Sequence, residues 1–86
     1  MTKNVMVVTV DKRKDNAVAA QKIMTEWGCI IHTRLGLHNE VLENCSEHGI
    51  IILELVGEME KQKQFEKLLA NLPGVKTHLV ELNLNN

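Results

Sequence analysis

Eighty-six residues, 44% hydrophobic and 24% charged with a net charge of −1, are enough for one hydrophobic core; this excludes both a disordered chain and two independent domains. One Trp, one Phe and no Tyr make up 2% aromatics, too few to stack bases or line a large aromatic pocket, and the near-neutral charge argues against nucleic-acid binding by the isolated domain. The N-terminus lacks the apolar stretch of a secretory signal and no run approaches the roughly 18 apolar residues of a membrane span, so a cytoplasmic location without membrane contact is expected.

Asn4 to Val10 (NVMVVTV) is a β-branched run and predicts the first strand. After the polar stretch Asp11 to Asn16, the residues Ala17, Ala20, Ile23, Met24 and Trp27 recur at helical spacing. They predict a helix of about 13–16 residues with one apolar stripe. Asp11 and Asp15 are candidate N-caps, and Gly28 stands where a left-handed C-terminal cap is expected. Cys29 to Leu37 alternates and predicts a second strand, with Ile31, Thr33, Leu35 and Leu37 on one face. His38 to His48 is a long polar connection. Gly49 opens the apolar run IIILELV, the third strand, closed by Gly57. Phe65, Leu68, Leu69 and Leu72 mark a second helix from about Glu60, stopped by Asn71-Leu72-Pro73-Gly74. Val75 to Leu82 forms the last strand, and Asn83 to Asn86 a tail.

The order β-α-β-β-α-β predicts one α+β domain over residues 1–86, a ferredoxin-like two-layer sandwich with both helices on one face of an antiparallel sheet. Glycines fall at element ends except Gly36, whose place inside a strand suggests a bulge or a close backbone approach. The other sheet face should then be polar in a monomer. It is not: Val5 and Val7 on the first strand, and Ile50 and Ile52 on the third, point there. Such an apolar face predicts a second copy of the chain over it, a homodimer or higher homo-oligomer joined through the open face or a sheet edge. The competing reading is that central strands tolerate apolar residues on their open side.

Several clusters bear on chemistry. His38, Cys45 and His48 in the long connection, with His32 as a further donor, form a set suited to zinc or nickel. Their spacing matches no standard zinc motif, so a solvated polar connection is the alternative. Cys45 beside His48 lacks a third orienting group, and neither it nor any other grouping predicts an enzyme. Cys29, next to the helix end in an apolar run, is expected to be buried and inert; both cysteines are expected as free thiols. Lys12, Arg13 and Lys14 oppose the dipole of the helix they precede, which an anion bound between them and the helix amides would offset; side chains extended into water are the other reading. Arg34 and Glu54, on neighbouring strands, are expected on the open face, either as an ion pair or with Arg34 directed at an anionic ligand. No aromatic residues stand on the central strands for RNA, no glycine-rich anion cradle follows the first strand, and no C-x-x-C loop is present.

The segments Val10-Asp11-Lys12-Arg13, Gly28-Cys29-Ile30-Ile31, Arg34-Leu35-Gly36-Leu37 and Asn71-Leu72-Pro73-Gly74-Val75 together resemble the small bacterial proteins described as iron-only hydrogenase system regulators. The resemblance runs from the first strand to the last and implies an ACT-like domain, similar in shape to the C-terminal domain of the nickel-responsive repressor. It implies a homo-oligomeric regulator that senses a small ligand or a metal; from the residues themselves, Arg13, Arg34 and Gly36 are the ligand-binding candidates. A metal sensor using His38, Cys45 and His48, or an interaction module docking a partner protein, are the alternatives. The turn after the first strand departs from amino-acid-binding ACT domains in carrying Lys12-Arg13-Lys14. The histidines and cysteine differ in spacing from those of the nickel repressor.

Overall fold

The computed structural model describes residues 2–11, 16–37 and 48–84. The elements are β1 (Thr2–Asp11), α1 (Ala17–Glu26), a single 3₁₀ turn (Gly28–Ile30), β2 (Ile31–Leu37), β3 (His48–Leu55), α2 (Met59–Ala70) and β4 (Val75–Asn83). The strands form one antiparallel sheet in the order β2-β3-β1-β4. This is the expected ferredoxin-like sandwich. The two strands that are apolar on both faces, β1 and β3, are the two central ones.

Alternation along β1 sends Asn4, Met6, Val8 and Val10 into the core, while Val5, Val7 and Thr9 stay half-buried on the other side. The helices close over the first set. Ala20 and Met24, one turn apart on α1, and Phe65 and Leu69 on α2 are buried against Met6, Val8, Leu53 and Leu55. Trp27, just past the end of α1, packs its ring at a tilt on Phe65 with centroids 5.8 Å apart. Each large side chain so buried stabilises the domain by about 1.5–3 kcal/mol. With only two aromatic rings in the whole chain, the core is filled by methionine and aliphatic side chains.

Local chemistry differs from expectation at several points. α1 spans ten residues, shorter than predicted. Asp11 ends β1, its N–H donating to the Gly74 carbonyl; Asp15 lies outside the described residues; the N-cap is Asn16. The Asn16 side chain does not cap its own helix; its Nδ2 donates to the Pro73 carbonyl at 2.6 Å and ties α1 to the turn before β4. Gly28 is not a left-handed cap. Among the described residues, the positive-φ positions are Gly57 (φ 93) and Gly74 (φ 81), the turns into α2 and β4. Leu68 is exposed while Phe65 and Leu69 face the core, and Asn83 belongs to β4 rather than to a tail.

The largest correction concerns β2. A register shift lies between Ile31 and Thr33: Ile31 pairs with Leu55, but Thr33 pairs with Glu54. His32 is the extra residue of a β-bulge. Ile31 therefore faces the helices, where it packs on the core, whereas Thr33, Leu35 and Leu37 face the open side with Glu54, Ile52 and Ile50. Beyond the bulge Arg34 stands opposite the fully buried Leu53, on the helix side and not beside Glu54. Gly36 lies in regular pairing opposite Ile51, and a Cβ there would meet nothing within 4 Å. The irregularity expected at Gly36 thus falls earlier, at His32 near the start of the strand.

Candidate functional site

On opposite faces of the sheet, a recess and an apolar surface are each open to another molecule. On the helix side, α1 and the β2–β3 pair enclose a cavity of about 270 Å³. Its walls are small or aliphatic apart from Gln21: Ala17, Ala20, Gly36, Gly49, Ile51 and Val10 are among them. The absence of side chains at Gly36 and Gly49 leaves this space open, and α1 contributes the methyl groups of Ala17 and Ala20 together with Gln21. Arg34 lies two residues from Gly36 on the same face of β2, exposed, a distance of about 7 Å along a strand. No ion pair or hydrogen bond holds Arg34 among the described residues. The arrangement is an apolar recess with a free cation within side-chain reach of its rim.

On the open face, the register lines up Leu35, Ile52, Val7 and His78 in one row across the sheet, with Leu37, Ile50, Thr9 and Lys76 below it. Thr33, Glu54, Val5 and Val80 form the row above. Leu35 is 52% exposed and Leu82, beside Lys3 on the same face, 44%. The one charged residue within the apolar centre, Glu54, is engaged. Its Oε2 accepts a hydrogen bond from Lys3 Nζ at 2.7 Å, and its Oε1 lies 3.4 Å from both His32 Nδ1 and Thr33 Oγ1. The Lys3 hydrogen bond, helped by the charges of Lys3 and His32, outweighs desolvation and holds the Glu54 carboxyl below its usual range. The bulge has a role here: by swinging Thr33 and His32 to this side it supplies two of the three groups around Glu54.

Of the sequence-predicted ligand residues, the structure brings Arg34 and Gly36 to one face of β2; Arg13 lies outside the described residues. The expected Arg34–Glu54 pair does not form, because the bulge puts the two on opposite faces; Lys3, which no sequence pattern singles out, takes the place of Arg34. Of the metal candidates, His38 and Cys45 lie outside the described residues, and for His48 only the backbone, in β3, is described. His32 belongs to the Glu54 cluster, and no group of three or more metal-type side chains occurs among the described residues. Cys29 is exposed, in the 3₁₀ turn rather than in a strand, contrary to the buried position expected of it. No described helix is long and apolar enough to cross a membrane.

No family model matches the chain, and no curated protein matches it in sequence. Solved structures do. The uncharacterized protein TM1266 from Thermotoga maritima superposes with a TM-score of 0.81 at 19% identity, over 96% of this chain and 100% of that one. A nitrogen regulatory PII-like protein from Thiomonas intermedia K12, solved with ADP, AMP and bicarbonate, superposes with a TM-score of 0.53 at 10% identity, over 100% of this chain and 98% of that one. At these identities the likeness is one of architecture: the chain is a ferredoxin-like α+β domain.

Proposed function

We propose that this chain is a small, non-enzymatic regulatory module that senses a small anionic ligand as a homo-oligomer. The observation that carries the ligand reading is the recess between α1 and the β2–β3 pair, with Gly36 in its wall and the unpaired Arg34 on the same face. An apolar recess beside a guanidinium suits a small carboxylate with an aliphatic body: the body fills the space and Arg34 grips the carboxylate through two parallel hydrogen bonds. The open sheet face supplies the subunit contact. A patch combining Leu35, Ile52, Val7, Ile50 and Val80 is of the kind that soluble domains cover, and a second copy brings a face of the same composition. The PII-like neighbour, a regulatory protein bound to nucleotides and bicarbonate, supports a regulatory role by analogy of fold. The link to a hydrogenase system rests on the sequence resemblance.

Native mass spectrometry of the purified protein, followed by calorimetric titration with a panel of short-chain carboxylates, tests the reading. A retained small molecule or saturable carboxylate binding is expected, weakened at least tenfold in Arg34→Ala and abolished in Gly36→Val, which fills the recess. Equal affinity in both variants, or no binding by any carboxylate, contradicts it.

A further inference from the structure

At the opposite end of the sheet, where β1 begins, β3 ends and α2 starts, lies a second cleft of about 580 Å³. Its inner wall holds two buried amides, Asn4 on β1 and Gln62 on α2. They form a directed chain. The Gly57 carbonyl can only accept, so Gln62 must present Nε2 to it, at 2.9 Å. Gln62 Oε1 is then turned toward Asn4 and accepts from its Nδ2 at 2.7 Å. Flipping either amide breaks the chain. Asn4 Oδ1 is what remains: an acceptor shielded from solvent, with no donor. Asn4 is 8% exposed and Gln62 1%, so this unmet oxygen sits in the protein interior, where an unpaired acceptor is unfavourable.

A carboxylate in the same cleft asks for the same kind of group. Glu81 stands directly across from Asn4 in the β1–β4 register, on the same face and also lining the cleft. No hydrogen bond or ion pair engages its carboxylate among the described residues. The charged residues in the lining are Lys3, Glu54 and Glu81, one cation against two anions, and Lys3 is already bound to Glu54. Leu55, Val56 and Met59 complete the wall with apolar surface.

We propose that this cleft binds a small primary amine with a short aliphatic body. Its ammonium donates to Asn4 Oδ1 and pairs with Glu81, and its chain lies on Leu55, Val56 and Met59. An ammonium is compact and carries three donors, which matches a shielded acceptor beside a carboxylate better than a planar guanidinium does. The flexible Met59 side chain supplies the adjustment that entry of the head group needs. The site is separate from the recess beside Arg34 and does not depend on the anion reading given above.

Titration of the ¹⁵N-labelled protein with pentylammonium, and in parallel with pentanoate of the same length, tests this. Pentylammonium is expected to give saturable shifts at the Asn4 and Gln62 side-chain amides and at the Gly57 N–H. Glu81→Gln, an isosteric change at an exposed position, is expected to weaken the amine at least tenfold while the spectrum reports an intact fold. Arg34→Ala leaves amine affinity unchanged. Absence of saturable shifts at millimolar amine, equal shifts with pentanoate, or undiminished affinity in Glu81→Gln each overturns the assignment.

Discussion

Glu54 shows how a single residue settles into a face that otherwise repels charge. Placed among Val5, Ile52 and Val80, a lone carboxylate would oppose any covering of the sheet; Lys3, His32 and Thr33 turn it into a satisfied cluster. The lowered carboxyl gives the contribution a sign. Because the folded form holds the proton less tightly than the unfolded chain, the stabilisation is fully present above the ordinary carboxylate range and is lost as pH falls through and below it. Urea unfolding across acid pH should therefore show stability declining with falling pH less steeply in Glu54→Gln than in the natural chain. Identical slopes would mean that the Lys3–Glu54 contact adds nothing to folding. Lys3 is half-exposed, so the effect should also shrink with added salt.

The elements themselves were legible from short-range pattern. The alternation of β1 and the i, i+4 spacing of Ala20 and Met24 each specify a face, and the structure keeps both. What the pattern concealed is the bulge in β2. Ile31, Thr33, Leu35 and Leu37 alternate without a break, and the register slip at His32 is decided by what β3 offers as partners: Leu55 needs an apolar neighbour inside, and Glu54 needs polar ones outside. That preference is nonlocal, so the strand's own residues do not display it. The same slip moved Arg34 to the helix face and made Gly36 part of a recess wall. The cleft at Asn4 was equally hidden, since a single Asn in a β-branched run carries no sign of the Gln62 that meets it 58 residues later. Turn chemistry can be tested at this scale. Gly57 links β3 to α2 at φ 93, a conformation costing L-residues about 1–2 kcal/mol. A Cβ there meets Ile30 Cγ2 at an ordinary 3.6 Å, so strain and not crowding sets the penalty. Gly57→Ala should lose about 1–2 kcal/mol in urea unfolding, and Gly57→Asn less, because Asn tolerates the left-handed region. Equal losses for both would point to packing instead.

At the scale of the molecule, the two faces of the sheet divide the work. The helix side is sealed by Phe65, Met24 and Leu69 over Met6, Val8 and Leu53, leaving a recess near one end and a polar-lined cleft at the other. The open side carries an apolar centre rimmed by Lys3, His32, Lys76 and His78, the face on which the proposed subunit contact rests. The scarcity of aromatic residues fits this division: a thin aliphatic layer closes one face, and the surplus on β1 and β3 is directed at the other. Ile52 lies at the centre of that face, half-buried and away from the helices. Sedimentation velocity over a wide concentration range, on the natural chain and on Ile52→Lys, decides whether this face joins subunits. The natural chain should sediment as a dimer or higher multiple of 9.7 kDa, and Ile52→Lys as a folded 9.7 kDa monomer. A natural chain that sediments as a 9.7 kDa monomer at every concentration would contradict the subunit contact.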